Sequence, residues 1–158
     1  MLKKLSVAAL CAVAVISCSD KHEVFHQSQT LSEDIQWNKS DVKTFVFDVT
    51  DNSAPLELIV HFRYATGYAY DKVKMRVTEI APNDERTITD LEIPVRDASG
   101  EFIGEKGYDI IDLDYPMDRN HEYQMHGKYT YTFEQAMPDI DPLHYAMELG
   151  LSVRRKEQ

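Results

Sequence analysis

Apolar residues recur at every second position along most of this chain, and over no long stretch at the 3.6-residue spacing of a helix. Phe45, Phe47 and Val49 share one face of an extended segment, Thr44, Val46 and Asp48 take the other, and residues 50–53 turn the chain. Leu56, Leu58, Val60, Phe62 and Tyr64 alternate with Glu57, Ile59, His61 and Arg63, the clearest strand pattern present. Val73, Met75 and Val77 repeat it, Pro82 to Glu85 reverse the direction, and Thr87 to Val95 predicts an antiparallel partner. Asp97 to Gly100 give another turn, and Phe102, Gly104 and Gly107 mark a short flexible stretch. Asp109 to Tyr115 has a mixed period and stops at Pro116, so it reads as irregular or as one short strand. After Gly127, Tyr129, Tyr131 and Phe133 lie on one face, residues 135–142 connect, and Tyr145, Met147, Leu149, Leu151 and Val153 close the pattern. Short strands at intervals of about ten residues predict an all-β fold, a jelly-roll-like antiparallel β-sandwich.

The amino-terminal end follows a different rule. Lys3 and Lys4 precede an apolar run, Leu5 to Ser17, of only 13 residues, too short to cross a bilayer as a helix and shaped as a secretory leader. Val15, Ile16 and Ser17 stand directly before Cys18, the aliphatic and small residues that the bacterial lipoprotein signal peptidase cuts after. Residues 1–17 are therefore expected to leave, and Cys18 to begin the mature chain with a diacylglycerol thioether and an acylated amino group. Each buried acyl methylene contributes about 0.8 kcal/mol, so several chains on one cysteine hold a protein durably on a membrane. Polarity changes at once after Cys18, and residues 18–35, with Val24, Phe25 and Leu31 as their main apolar content, read as a lipidated tether. Residues 36–158 are the expected sandwich domain.

Charge and cysteine content narrow the chemistry. The chain carries 17 basic and 27 acidic residues, a formal net charge of −10 that becomes −12 once Lys3 and Lys4 are removed. That balance argues against nucleic acid, whose phosphates require basic surface. With Cys11 lost in the leader and Cys18 lipidated, no thiol is left for a disulfide, a metal or redox work, and the core alone must hold the domain. No cofactor is expected.

Candidate sites are few. Asp109, Asp112, Asp114 and Asp118 are the densest carboxylates, but Ile110, Ile111 and Leu113 interleave with them and the glycine-bearing calcium loop is absent, so a solvated acidic edge is favoured over a cation site. The same reading applies to Asp139 and Asp141. The histidines His22, His26, His61, His121, His126 and His144 lack zinc spacing, no glycine-flanked serine suggests a triad, and no lysine follows a glycine loop as in phosphate binding. Trp37, the only tryptophan, reads as a cap on one end of the core, with an exposed binding aromatic as the alternative. Tyr68 and Tyr70, on the connection between two strands, either fold over an open end or contact a glycan or protein. Arg154, Arg155 and Lys156 read as a solvated tail.

Several of these residues fall into a wider pattern: Trp37, Asp41 and Phe45, then Arg63 with Tyr68 and Tyr70, then Gly100, Phe102, Gly104 and Gly107. Residues 127–137 (Gly127, Lys128, Tyr129, Thr130, Tyr131, Thr132, Phe133, Glu134, Gln135, Ala136, Met137) and the closing Leu149, Gly150, Leu151, Ser152 and Val153 complete it. With the lipoprotein leader, the whole resembles the GldH family of gliding-motility lipoproteins of the Bacteroidetes; the departure is at Ala65, Thr66 and Gly67, where a more polar, proline-containing lead is expected. The resemblance implies an outer-membrane lipoprotein associated with envelope motility or secretion proteins, and it brings no catalytic residues, only Cys18. Ser19, Asp20 and Lys21 share only part of the acidic surface-export signals of these bacteria, so neither face of that membrane is favoured. The expected role is non-enzymatic, through protein contacts; the rival is a carbohydrate-binding lipoprotein of a nutrient-uptake system using Trp37, Tyr68 and Tyr70.

Overall fold

The computed structural model describes residues 22–156, so the leader and Cys18 lie outside the described residues. The described chain forms eleven strands: β1 (Glu23–Thr30), β2 (Gln36–Trp37), β3 (Lys43–Val49), β4 (Leu56–Ala65), β5 (Lys72–Ile80), β6 (Arg86–Pro94), β7 (Glu105–Lys106), β8 (Ile110–His121), β9 (Gly127–Gln135), β10 (Leu143–His144) and β11 (Ala146–Arg155). Three sheets result, in the orders β1-β11-β4-β8-β7, β3-β9-β5-β6 and β10-β2, every pairing antiparallel. The first two pack face to face as a β-sandwich.

The alternation along each strand explains why they stack. Phe45, Phe47, Val73, Met75, Val77, Tyr129, Tyr131 and Phe133 fill the inner face of the four-stranded sheet. Leu58, Val60, Phe62, Tyr64, Leu149, Leu151 and Val153 meet them from the five-stranded one, all nearly inaccessible to water. Phe45 and Phe133 meet edge to face with centroids 5.6 Å apart, a favoured arrangement of ring quadrupoles. Trp37 caps this core: it is fully buried, and its indole N–H donates to the Asp41 carbonyl at 2.8 Å.

Three segments depart from the alternation. Residues 23–30, read from sequence as part of a tether, form β1 along β11, from Glu23 opposite Arg154 to Thr30 opposite Glu148. Backbone pairing needs no apolar side chain, so a polar segment can serve as an edge strand, and Phe25 stacks on Phe47 at 4.9 Å to fasten it. The second segment, 110–121, is one twelve-residue strand rather than a short or irregular piece ended by Pro116. Both register shifts on β8 lie just beyond Pro116, between it and Asp118 and between Asp118 and His121, and β7 pairs only with Ile111 and Asp112, so the missing N–H breaks no ladder on the β7 side. The third is β11, where a register shift between Ala146 and Glu148 resets the phase: Ala146, Leu149, Leu151 and Val153 are buried, while Tyr145 precedes the strand and is exposed.

Replacing Phe133 by Ala should lower unfolding free energy by about 3–5 kcal/mol, through lost transfer energy and a cavity between the sheets. Ile88→Ala, on the exposed face of β6, should stay within about 0.5 kcal/mol of the parent. Urea denaturation midpoints of the two variants check both values.

Candidate functional site

Of the aromatic residues singled out in the sequence, two face inward. Trp37 is 0% exposed and Tyr68 1%, and the Tyr68 hydroxyl donates to the Lys72 carbonyl at 3.1 Å. Neither offers a ring face to a glycan or partner, which corrects that part of the expectation; a large ring on a strand or tight turn is recruited to close the core. Tyr70 is half-buried, its ring edge-on to Tyr68 with centroids 5.6 Å apart. It lines a cleft of about 510 Å³ together with Asp34, Ile35, Ala69, His144 and Tyr145.

That cleft lies where three connections meet. The turn before β2 supplies Asp34 and Ile35, the β4 to β5 connection supplies Ala69 and Tyr70, and the β10 to β11 junction supplies His144 and Tyr145. Backbone bonds tie them: Tyr145 N–H donates to the Ile35 carbonyl at 2.8 Å, and Ala65 N–H to the Tyr145 carbonyl at 2.9 Å. Ile35 and Tyr145 both have positive φ, 55° and 64°, a strained conformation for bulky or β-branched side chains.

The outer face of the five-stranded sheet carries a row of polar side chains that the sequence did not reveal. His26, Ser152, His61 and Asp114 stand on the adjacent strands β1, β11, β4 and β8. His61 Nδ1 is 2.6 Å from Asp114 Oδ1, His61 Nε2 is 2.6 Å from Ser152 Oγ, and His26 Nδ1 is 2.6 Å from the same Oγ. An ionised Asp114 only accepts, so His61 donates from Nδ1; in the neutral tautomer that bond selects, Nε2 accepts the Ser152 hydroxyl and His26 donates to Ser152. The order of residues matches a serine hydrolase relay. An oxyanion site needs free donors beside the serine. Ser152, however, is 5% exposed, shares its oxygen with a second imidazole, and sits on a strand whose backbone N–H groups pair with β1 and β4. The row is a cross-strand clamp.

Three members of the expected acidic cluster are divided among separate partners. Asp112 takes two hydrogen bonds from Arg63, directly opposite in register, Asp114 holds His61, and Asp118 accepts from His121 at 3.1 Å. Among the described residues, no group of three or more His, Cys, Asp or Glu side chains is arranged to hold a metal ion.

A second network closes the end of the sandwich opposite the cleft. The half-buried Glu79 carboxylate lies 3.0 Å from His121 Nε2 and accepts the Tyr131 hydroxyl, which also contacts the Tyr123 hydroxyl at 3.1 Å. Burial alone would raise the Glu79 carboxyl, but hydrogen bonds from His121 and Tyr131 outweigh it and hold the group below its ordinary 4.5. Burial likewise lowers His121, yet Glu79 and then Asp118 outweigh it and raise the imidazole above its ordinary 6.5. Burial, followed by the neighbouring Tyr123 and Glu79, pushes the Tyr131 phenol far up, so it stays a donor.

Fold and side chains together define an all-β antiparallel sandwich whose outer polar groups are paired across strands. The comparisons make the family explicit. A family model described as GldH lipoprotein matches residues 23–153, and the chain belongs to that family. It is also 25% identical over 126 residues to a Christiangramia forsetii protein named gliding motility lipoprotein GldH homolog, covering 79% of this chain and 75% of that relative. No solved structure matches the chain at a significant level. The family is one of gliding motility lipoproteins, as the sequence resemblance implies.

The pH dependence of the second network has a definite sign. Lowered Glu79 contributes stability that is full above 4.5 and lost as pH falls through its folded pKa; raised His121 contributes stability that is full below 6.5 and lost as pH rises through its own. The stability difference between the parent and His121→Gln should therefore be largest between pH 4.5 and 6.5 and shrink on either side. Thermal melts of both proteins across that range check it.

Proposed function

We infer that the chain is an outer-membrane lipoprotein, held by acyl groups on Cys18, that serves gliding motility through contacts with other envelope proteins rather than by catalysis. The observation that carries this reading is the family match, which covers 23–153 and so begins five residues after Cys18. The short interval keeps the sandwich close to the lipid surface, and confinement to that surface raises its effective concentration for membrane-bound partners.

The distribution of exposed apolar residues supports contact at the far pole. Residue 22 borders the pole formed by Leu56, His121 and Arg155, whose N–H donates to the His22 carbonyl. β4 then runs ten residues, about 30 Å, to the opposite pole at Ala65 and Ile110. Four of the seven large exposed apolar side chains among the described residues gather there: Ile35, Tyr108, Ile110 and Tyr145. Tyr108, 98% exposed on the β7 to β8 turn, is a ring available for another protein to enclose.

Cys18→Ala should move the protein from the membrane to the soluble fraction, and density separation of membranes should place the parent with the outer membrane. A mutant that still sediments contradicts the acyl anchor. Gene deletion should abolish spreading on a surface with growth on glycans unchanged. Tyr108→Ala should reduce spreading at normal protein level, and unaltered spreading would rule that ring out as a contact.

A further inference from the structure

The cleft between Asp34, Tyr70, His144 and Tyr145 has features that the protein-contact reading leaves unused. Two carboxylate–imidazole pairs on the rest of the surface satisfy one another, Asp114 with His61 and Glu79 with His121. Here none of the four polar side chains, the Asp34 carboxylate, the His144 imidazole and the two phenol hydroxyls, has a side-chain hydrogen bond or ion pair among the described residues. Two aromatic rings and Ile35 supply apolar wall between them, and the volume, about 510 Å³, is that of a small-ligand site.

We propose that this cleft binds a neutral sugar unit of a glycan, with the C–H face of the ring against Tyr145 and Tyr70 and its hydroxyls on Asp34 and His144. A carboxylate accepts, an imidazole both donates and accepts, and phenols do the same, a mixture that suits a ligand carrying several hydroxyls. No cationic lysine or arginine lines the cleft and the chain has a formal net charge of −10, which disfavours phosphate, sulfate or uronate ligands. A purely apolar ligand would strip water from Asp34 without replacing its hydrogen bonds. An ammonium group would satisfy Asp34 and the ring faces but leave the imidazole and both hydroxyls to water.

The walls are held in place before any ligand arrives. Tyr70 is braced edge-on by the buried Tyr68, which gives that inward-facing ring a supporting role. Tyr145 projects from a backbone with φ of 64°, and its ring lies so close over Gly67 that a Cβ there would stand 2.6 Å from Cε1. Folding alone gains little from keeping a large exposed ring on strained backbone, so Tyr145 is a residue retained for what it touches. Glycine at 145 would relieve that strain.

The inference does not depend on the motility reading, because it is tested on the purified protein. The full chain, in a detergent without a sugar headgroup, is titrated by calorimetry with neutral hexaoses of glucose, mannose and xylose, and separately with a lysine-rich peptide. At least one oligosaccharide should bind, and Tyr145→Gly should weaken it about tenfold or more while leaving the melting temperature equal or higher. Tyr70→Ala and Gly67→Val, which drives the Tyr145 ring aside, should weaken the same sugar, and Val46→Ala, on β3, should not. Absence of binding by every oligosaccharide, sugar binding unchanged in Tyr145→Gly and Tyr70→Ala, or Tyr145-dependent binding of the lysine peptide alone would each overturn the proposal.

Discussion

The insertion of β11 between β1 and β4 is the constraint on which the rest of the molecule depends. The last strand pairs on one side with the first strand of the described chain and on the other with the central β4, so the five-stranded sheet is complete only when both ends of the domain have met. Leu149, Leu151 and Val153 then press on the aromatic layer of the four-stranded sheet, all three fully buried. The domain has no disulfide among its described residues, and its coherence rests on these ladders and the layer beneath them. The glycine at 150 marks how close the strands come, since a Cβ there would stand 2.6 Å from the Ser28 hydroxyl oxygen.

The two poles of the sandwich have different chemistry. Where the chain enters, ion pairs and hydrogen bonds dominate: Glu57 between Arg119 and Arg154, Arg155 on Asp51, Glu79 on His121. At the other pole are the cleft, the strained Ile35 and Tyr145, and the exposed Tyr108. Lipid at the amino terminus would hold the charged pole near the membrane and turn the aromatic one away from it. Charges at the near pole serve solubility and register, since exposed pairs contribute little to stability, while apolar and unpaired polar groups at the far pole are free for binding.

Much of the sandwich was legible because β3, β4, β5, β6 and β9 each keep apolar residues at core-facing positions, and period-two alternation survives that. β1 was hidden because an edge strand fastened by its backbone keeps a polar sequence, and β8 because Pro116 reads as a stop and the register shifts just beyond it break its phase. The β11 register shift hid Tyr145 in an apparent core face. Site residues were legible only in part. Tyr70 was visible as an aromatic on a connection, but which of Tyr68 and Tyr70 turns inward depends on the fold, and Asp34 and His144 join them from distant sequence. The His61 to Asp114 contact spans 53 residues; Asp112 and Asp114 on one strand face were a usable signal, and the missing step was the pairing of β4 with β8.

Amide hydrogen exchange on the full-length protein tests the central claim most directly. With β11 enclosed between β1 and β4, the amides of residues 149–153 should be among the slowest to exchange, and those of Glu23 to Thr30 that face β11 should be protected with them. Rapid exchange across residues 23–30, at the rate of an unstructured segment, together with open exchange along residues 149–153, would contradict the closure of the sheet and everything built on it.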